Sequence, residues 1–236
     1  MDLIIILIVC IITGGVVIII YKFWQDLKLL KTVTRPTRGT RSERKMVISL
    51  LKNGFPPQNI FHDLYLERKN GNYTQIDLVV TSDVGIIVFE IKEYKGWIFG
   101  TGHQRYWTQV LAYGQKKYRF YNPILQNKKH IEDLANVLSK FEKVPIYSVV
   151  VFFGNCEFKD VTFIPNDVFL AQSCYATTVI KQILIDKEPV EYIYEMEIVK
   201  VLKAAVVNGE NNQIREQHIR NVQTIINRAR SEQTSP

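Results

Sequence analysis

The stretch YTQIDLVVTSDVGIIVFEIK, residues 73–92, decides the fold. Two mainly apolar runs, residues 73–81 and 86–92, flank the sequence Ser-Asp-Val-Gly at 82–85, a pattern typical of two antiparallel strands joined by a tight turn. The second run is apolar on both faces until it reaches Glu90, which predicts a strand in the centre of a sheet. The hairpin therefore carries a charged side chain into a buried position.

The turn also predicts which residues lie opposite each other. If it is symmetric, the numbers of opposed residues sum to 167, so Asp77 lies opposite Glu90 and Gln75 lies opposite Lys92. Opposed side chains on one face have Cβ atoms about 4.5 to 5.5 Å apart, and two carboxylates at that distance repel each other. An unpaired buried charge is also costly, so this pair needs compensation.

A divalent cation that takes one oxygen from Asp77 and one from Glu90 would remove the repulsion. Hard oxygen ligands select Mg²⁺ or Mn²⁺ over zinc. Lys92 lies on the same side of the strand as Glu90, where it could stabilise charge on a phosphate or orient a water molecule. Glu43, in the first turn of the preceding predicted helix, could complete the metal site.

Each of these residues also has a structural explanation. Asp77 alone could be a structural hydrogen-bonding residue, and Glu90 with Lys92 could form an ion pair at a sheet edge. Glu43 could be a solvated acid favoured by the dipole of its helix. We weigh the metal site above these readings because the predicted register brings the residues together.

The surrounding elements predict an α/β fold, a sandwich built around one mixed sheet with helices on its faces. A helix that opens at Ser42 comes before the hairpin, and a further strand at 60–66 joins it. The glycine-rich residues 96–102 are predicted to be a loop. The later elements are expected at 105–110 (strand), 122–140 (helix), 147–153 and 161–164 (strands), and 175–185, 190–207 and 213–230 (helices).

Residues 3–20 form an uncharged apolar run, which at about 1.5 Å per residue reaches roughly 27 Å. We interpret it as one uncleaved transmembrane helix that contacts the lipid bilayer. Residues 22–45 contain eight basic and two acidic residues, and this flank predicts a cell-membrane protein with its N-terminus outside and its C-terminal domain in the cytoplasm. The alternative is a cleaved leader and an exported protein.

Composition and charge exclude several classes of protein. The 236 residues include three cysteines, too few and too far apart for a disulfide framework or a four-ligand zinc site. The net charge is +7, and much of the excess lies in residues 22–45, where contact with anionic lipids is the favoured explanation.

A second basic cluster, residues 92–129, holds eight basic residues against Glu93, with aromatic residues between them. It suits a surface that follows phosphates and stacks bases, or else solvated charge over core aromatics.

Several motifs recur together along the chain: Glu43, QID at 75–77, GIIVFEIK at 85–92, Gly96, Trp107 and NPILQNKKH at 122–130. This set resembles the nuclease-related domain (NERD) of the PD-(D/E)xK nuclease superfamily. The resemblance covers roughly residues 38–153, with departures at Ile76, where the superfamily name expects proline, and at Leu78, where many of these sequences have histidine.

The resemblance implies a restriction-endonuclease-like mixed β-sheet and a phosphodiesterase that uses Mg²⁺ or Mn²⁺. It implies that Glu43, Asp77 and Glu90 are acids on the metal side, that Lys92 is the catalytic lysine and that Gln126 is a further polar catalytic residue. His130 shares a helix face with Gln126, and for His130 we favour a capping or surface role. The residues expected to bind nucleic acid are Lys95, Arg105, Lys116, Lys117, Arg119, Lys128 and Lys129.

The combined expectation is a membrane-anchored nuclease that prefers DNA, with RNA as the other candidate substrate. The rival is a non-catalytic module that keeps the fold and binds nucleic acid or a protein at the membrane. The expected divisions are a transmembrane anchor at 1–21, a basic tether at 22–40, the nuclease-like domain at 41–153 and a mainly helical extension packing on it at 154–236. The sequence sets no oligomeric state and no pathway.

Overall fold

The computed structural model describes residues 2–141 and 143–234. Its helices are α1 (Asp2–Leu30), α2 (Arg41–Lys52), α3 (Pro123–Leu138), α4 (Ala176–Asp186), α5 (Glu195–Asn208) and α6 (Asn212–Thr234). Its strands are β1 (Ile60–Glu67), β2 (Tyr73–Ser82), β3 (Gly85–Glu93), β4 (Gly96–Thr101), β5 (Tyr106–Leu111), β6 (Lys116–Tyr121), β7 (Ile146–Phe153), β8 (Cys156–Thr162) and β9 (Val168–Gln172).

The strands form two mixed sheets. The larger sheet has the order β1-β2-β3-β7-β9, with β1, β2 and β3 antiparallel and β3, β7 and β9 parallel. The smaller sheet has the order β6-β5-β4-β8. The fold class is confirmed as mixed α/β, with helices flanking the sheets and an apolar helix at the N-terminus.

The larger sheet is covered on both faces because its central strands are apolar on both sides. The end of α1, with α2 and α4, packs on one face around Phe89 and Val151, and α3 with α5 packs on the other around Val88 and Leu134. β3 is buried from Gly85 through Ile91, as the sequence predicted for a central strand. Glu90 is thereby held inside the protein.

The prediction of a single sheet, with a loop at 96–102, was wrong. The smaller sheet contains β4 and β6, neither of which was predicted, and β9 was also missed in the larger sheet. Glycines usually weaken a strand prediction, but Gly100 is needed for close packing, since a Cβ there would lie 2.4 Å from Cγ of Trp107. Trp107 is itself buried in the core between the smaller sheet and β7.

α1 is a single helix long enough and apolar enough to cross a membrane, a property that N-terminal signal sequences share. Its apolar side chains from Ile5 to Ile20 are exposed, whereas Leu30, at its C-terminal end, is buried in the domain core. An ion pair between Asp26 and Lys52 joins α1 to α2. Residues 22–30, which we assigned to the basic tether, therefore continue the helix and pack on the domain.

Candidate active site

The predicted register of the β2–β3 hairpin is confirmed for the pairs from Leu78–Phe89 to Ser82–Gly85, all of which sum to 167. Asp77 is the residue before Leu78, and its Oδ2 accepts a hydrogen bond from the backbone N–H of Ile91 at 2.7 Å. Asp77 therefore lies beside the Glu90-Ile91-Lys92 segment of β3.

Glu90 is a buried carboxylate, 1% exposed, with two cationic or potentially cationic neighbours. Its Oε1 lies 2.6 Å from Nζ of Lys92, and its Oε2 lies 3.3 Å from Nε2 of His130. Lys92 therefore forms a close ion pair with Glu90, although among the described residues neither oxygen has a donor at the angles of a regular hydrogen bond. A buried carboxylate without hydrogen bonds is costly, and nearby positive charge reduces that cost.

Lys92 connects the strand to α3. Its Nζ donates a hydrogen bond to Oε1 of Gln126 at 3.0 Å. Gln126 is placed there because Asn122 caps α3, accepting from the N–H of Ile124, so that Gln126 lies one turn into the helix. Burial by itself would lower the pKa of Lys92, but the carboxylate of Glu90 outweighs it and raises the pKa, which keeps the ammonium protonated.

Asp77 has the electrostatic character expected of an acid held near other acids. Burial raises its pKa well above the ordinary value, and the charges of Glu90 and Glu43 raise it further. The hydrogen bond from Ile91 acts in the opposite direction without cancelling them. Its second oxygen, Oδ1, makes no hydrogen bond or ion pair with the described residues. The charges of Asp77 and Glu90 are therefore close enough to interact unfavourably.

Glu43 is buried and already has partners. Thr40, the N-cap of α2, donates to its Oε1 at 2.7 Å and accepts from its backbone N–H, an arrangement that forms a capping box. Nε2 of His62 lies 3.2 Å from its Oε2. Burial would raise the pKa of Glu43, but the hydrogen bonds from His62 and Thr40 outweigh it and lower the pKa. Glu43 is therefore an anionic residue near Asp77 and not a solvated helix-end acid.

Two histidines that contact the site acids each bond a threonine as well. His62 places Nδ1 2.9 Å from Oγ1 of Thr34, and His130 places Nδ1 3.1 Å from Oγ1 of Thr74. His130 is buried, so the surface role that we favoured for it is wrong; it contacts Glu90 instead. The sequence analysis missed His62, whose signal was a polar residue inside the apolar run 60–66.

The structure adds a fourth acid, Asp63 on the neighbouring strand β1, which the sequence analysis did not select. The β1–β2 pairs sum to 140, which places Asp63 level with Asp77, but its φ of 56° interrupts the strand. Its carboxylate accepts from Nε of Arg38 at 3.1 Å and from Nε2 of Gln75 at 3.0 Å. Gln75 therefore bonds Asp63 and not Lys92, and the charge of Asp63 is already compensated.

The donor set fits a hard divalent cation. Among the described residues, neither oxygen of Glu90 has a donor at hydrogen-bond angles, and Asp77 uses Oδ2 for its bond to Ile91, which leaves Oδ1 available. Within the described ranges, no three His, Cys, Asp or Glu residues converge as a metal-binding group. Mg²⁺ is commonly bound through one or two carboxylates while it keeps several waters, so two acids are sufficient for such an ion.

The predicted nucleic-acid-binding residues fall in two places, and all are exposed. Lys128 and Lys129 lie on α3, where Lys129 also pairs with Glu132 at 3.6 Å and Asp133 at 3.5 Å. The others belong to the smaller sheet or the loops beside it: Lys95, Arg105, Lys116, Lys117 and Arg119.

Comparison with known proteins supports the resemblance. The nuclease-related domain model matches residues 38–153, and this family belongs to the PD-(D/E)xK-like nuclease superfamily. An uncharacterised protein of Bacillus anthracis is 32% identical over 124 residues, 52% of this chain and 57% of that protein. The chain thus matches a little over half the length of this relative. Comparison with the solved structures returned no match.

Proposed function

We propose, from the membership of residues 38–153 in the nuclease-related domain family, that the chain is a membrane-anchored, metal-dependent nuclease that prefers DNA. The observation that carries the proposal is the position of Asp77 beside Glu90, with Lys92 contacting Glu90 from the same strand. Two neighbouring acids and a charged lysine would supply both parts of a phosphodiester-cleaving site, a cation site and a fixed positive charge.

Asp77 and Glu90 would hold Mg²⁺ or Mn²⁺. When bound, such an ion supplies Lewis-acid stabilisation and lowers the pKa of water. Lys92 contributes a fixed positive charge near the phosphate, where it stabilises the negative charge that develops during hydrolysis. Gln126 accepts a hydrogen bond from the Lys92 ammonium and so orients it toward the site.

Glu43 contributes its negative charge from the start of α2, where Thr40 and His62 fix its carboxylate. We assign it a supporting role on the metal side, because its charge acts on Asp77 while both of its oxygens have protein partners.

The apolar part of α1 supports a single-pass anchor. The helix continues past its apolar segment and ends with Leu30 in the domain core, so the anchor and the domain form one continuous unit. The basic flank at 22–45 supports a cytoplasmic position for the domain and contact with anionic lipids.

The second candidate is a non-catalytic nucleic-acid-binding module. It is favoured by the partners that the acids already have, because Lys92 and His130 contact Glu90, and Thr40 and His62 hold Glu43. On this reading, the buried charges are balanced by the protein itself and need no ion.

The test uses the full chain in detergent, because Leu30 and Arg38, which precede most of the domain, are buried in it. Plasmid and linear DNA are incubated with Mg²⁺ or Mn²⁺, and then with EDTA. The nuclease predicts metal-dependent cleavage that Lys92→Ala abolishes, with DNA binding largely kept. DNA binding without cleavage, unaffected by Asp77→Ala, would support the second candidate.

A further inference from the structure

β6 presents a row of exposed side chains at the edge of the smaller sheet. Lys117, Arg119 and Tyr121 alternate along the strand, so they lie on one face. All three are exposed, and Tyr121 is 43% exposed. At about 3.3 Å per residue, the row spans roughly 13 Å. We call these three residues the β6 row.

The row includes an aromatic group fixed beside cations. Tyr121 pairs with Tyr106 across the β5–β6 ladder, with ring centroids 6.1 Å apart and nearly perpendicular planes. The guanidinium of Arg119 lies 4.9 Å from the centroid of Tyr106, and that of Arg105 lies 5.5 Å from it. The arginines are thereby held next to Tyr121 by cation–π contacts.

The stretch of chain that contains the row has charges of one sign. Residues 94–131 contain seven Lys or Arg residues and no Asp or Glu. Such a surface attracts a polyanion and binds phosphates with a strong dependence on salt. The exposed tyrosine adds a flat surface for stacking, which a phosphate-only ligand would not use.

The row leads to the candidate active site. Tyr121 ends β6, Asn122 caps α3, and Gln126 contacts Lys92 one turn later. At about 1.5 Å per residue, Gln126 lies roughly 6 Å along the helix axis from Asn122. Only the segment 122–125 therefore separates Tyr121 from Gln126, so the row is joined to the candidate site by a short stretch of chain.

Two kinds of DNA could meet this surface, and the geometry distinguishes them. A two-stranded ribbon fits the major groove, which is about 12 Å wide. Here, however, β5 and β6 belong to a four-stranded sheet, about 14 Å across at roughly 4.8 Å per strand. Stacking on tyrosine requires a base whose face is free, which is the case in a single strand and not inside a duplex.

We propose that the β6 row, with Tyr106 behind it, binds an unpaired segment of nucleic acid next to the active site and stacks a base on Tyr121. This inference rests on the proposed function in taking nucleic acid as the substrate, and it specifies the substrate class as single-stranded or locally unwound.

The experiment measures binding separately from cleavage. The full chain, reconstituted in neutral-lipid nanodiscs with EDTA present, is titrated into a labelled single-stranded oligonucleotide and into the duplex of the same sequence, with fluorescence anisotropy as the readout. We expect tighter binding of the single strand. Tyr121→Leu should weaken it about tenfold, while Tyr121→Phe should keep it, because phenylalanine retains the stacking ring. Arg119→Gln should reduce the salt dependence for both ligands.

The matched control is Tyr175→Leu, since Tyr175 is also exposed but lies before α4, away from the row. Equal or tighter duplex binding, or unchanged affinity in a folded Tyr121→Leu variant, would overturn the inference. Acylation of Lys117 gives a further check. If nanodiscs of anionic lipid protect Lys117 from acylation and the oligonucleotide does not, the inference is also overturned, because the row would then face lipid.

The two proposals can fail separately. If the chain cleaves DNA with a metal ion but Tyr121→Leu binds the oligonucleotide as tightly as wild type, the inference about the β6 row is wrong and the nuclease proposal stands. The opposite result is selective binding of the single strand that Tyr121→Leu abolishes, with no cleavage under any divalent cation. It would support the β6 row as a binding surface and contradict the nuclease proposal.

Discussion

Asp77 on β2 accepts a hydrogen bond from the backbone of Ile91, the residue between Glu90 and Lys92 on β3, at 2.7 Å. This contact fixes the Asp77 side chain against the strand that carries the other acid and the lysine. Glu90 is buried and its charge raises the pKa of Asp77, so the two acids interact unfavourably, and on the proposed function a divalent cation would relieve that interaction.

Asp77→Asn should remove most of the affinity for Mn²⁺. The amide keeps the shape of the side chain but loses the charge that a divalent cation needs. Mutating a residue that only hydrogen-bonds to a metal ligand typically costs roughly 10- to 100-fold in metal affinity or activity. We expect Asp77→Asn to reduce Mn²⁺ affinity and cleavage by more than that. Isothermal titration calorimetry and a cleavage assay measure the two effects. The control is Asp160→Asn, an exposed acid on β8; Mn²⁺ affinity equal in both variants would contradict the prediction.

The stability of the metal-free chain should fall as pH rises because of Asp77. Its pKa is raised in the folded state, so its contribution is fully present below its unfolded pKa, near 3.8, and is lost as pH rises through the folded value. The difference in thermal midpoint between wild type and Asp77→Asn, measured in EDTA over a pH series, isolates this contribution. Mn²⁺ affinity should change in the opposite direction and increase with pH, because the cation binds the deprotonated acid. A difference in midpoint that stays constant with pH would refute the assignment.

Lys92→Ala should abolish cleavage while keeping Mn²⁺ binding. The substitution removes the positive charge near the phosphate, and it also removes a cation that competes for Glu90 Oε1. Loss of one preorganised electrostatic group typically lowers the rate about 10²- to 10³-fold. Single-turnover cleavage and calorimetry separate the two effects. Lys181→Ala, on the exposed side of α4, serves as the control; loss of Mn²⁺ binding in Lys92→Ala would instead indicate that Lys92 only holds the site together.

Glu43→Gln should weaken Mn²⁺ binding about tenfold, less than Asp77→Asn does. Glutamine at this position preserves the capping box with Thr40, so α2 should remain intact. The loss of charge still lowers the negative potential at Asp77. Circular dichroism reports the helix and calorimetry reports the affinity. A loss of Mn²⁺ affinity as large as that in Asp77→Asn would contradict the supporting role and indicate that Glu43 is a direct metal ligand.

Leu30→Ala should destabilise the whole domain, because this residue at the end of α1 is 3% exposed. Truncating a buried leucine commonly costs about 2–5 kcal/mol. The midpoint of denaturant unfolding, followed by tryptophan fluorescence in detergent, gives the change in free energy. Lys28→Ala, two positions earlier and outside the core cluster, should change it little. Equal stability of the two variants would show that α1 and the domain are independent.

Much of the candidate site could be predicted because its information is local. The turn at 82–85 sets the register of two strands from Leu78–Phe89 to Ser82–Gly85, and Asp77, the next residue, lies beside the segment that begins with Glu90. The periodicity of 122–140 likewise gave α3 and put Gln126 near its start. These features depend on hydrogen-bond geometry over a few residues, which a single sequence encodes directly.

The remainder depends on contacts between distant parts of the chain. Gly100 looked like a loop residue, and only the ring of Trp107 packed against it explains why glycine lies in a strand. His130 looked like a surface residue because the pattern of α3 does not show that its face covers Glu90. His62 reaches Glu43 from a strand nineteen positions later, a contact that no local pattern encodes.

The sequence by itself determined the α/β class and an apolar helix long enough to cross a membrane, and it predicted Asp77 close to the Glu90–Lys92 segment. Local spacing and strand alternation are sufficient to specify those features. The tertiary structure decided which charges already have partners: Asp63 pairs with Arg38, Glu43 contacts His62, and Glu90 contacts Lys92 and His130. Burial and long-range packing set those pairings, because the cost of an uncompensated charge depends on what the completed fold places around it.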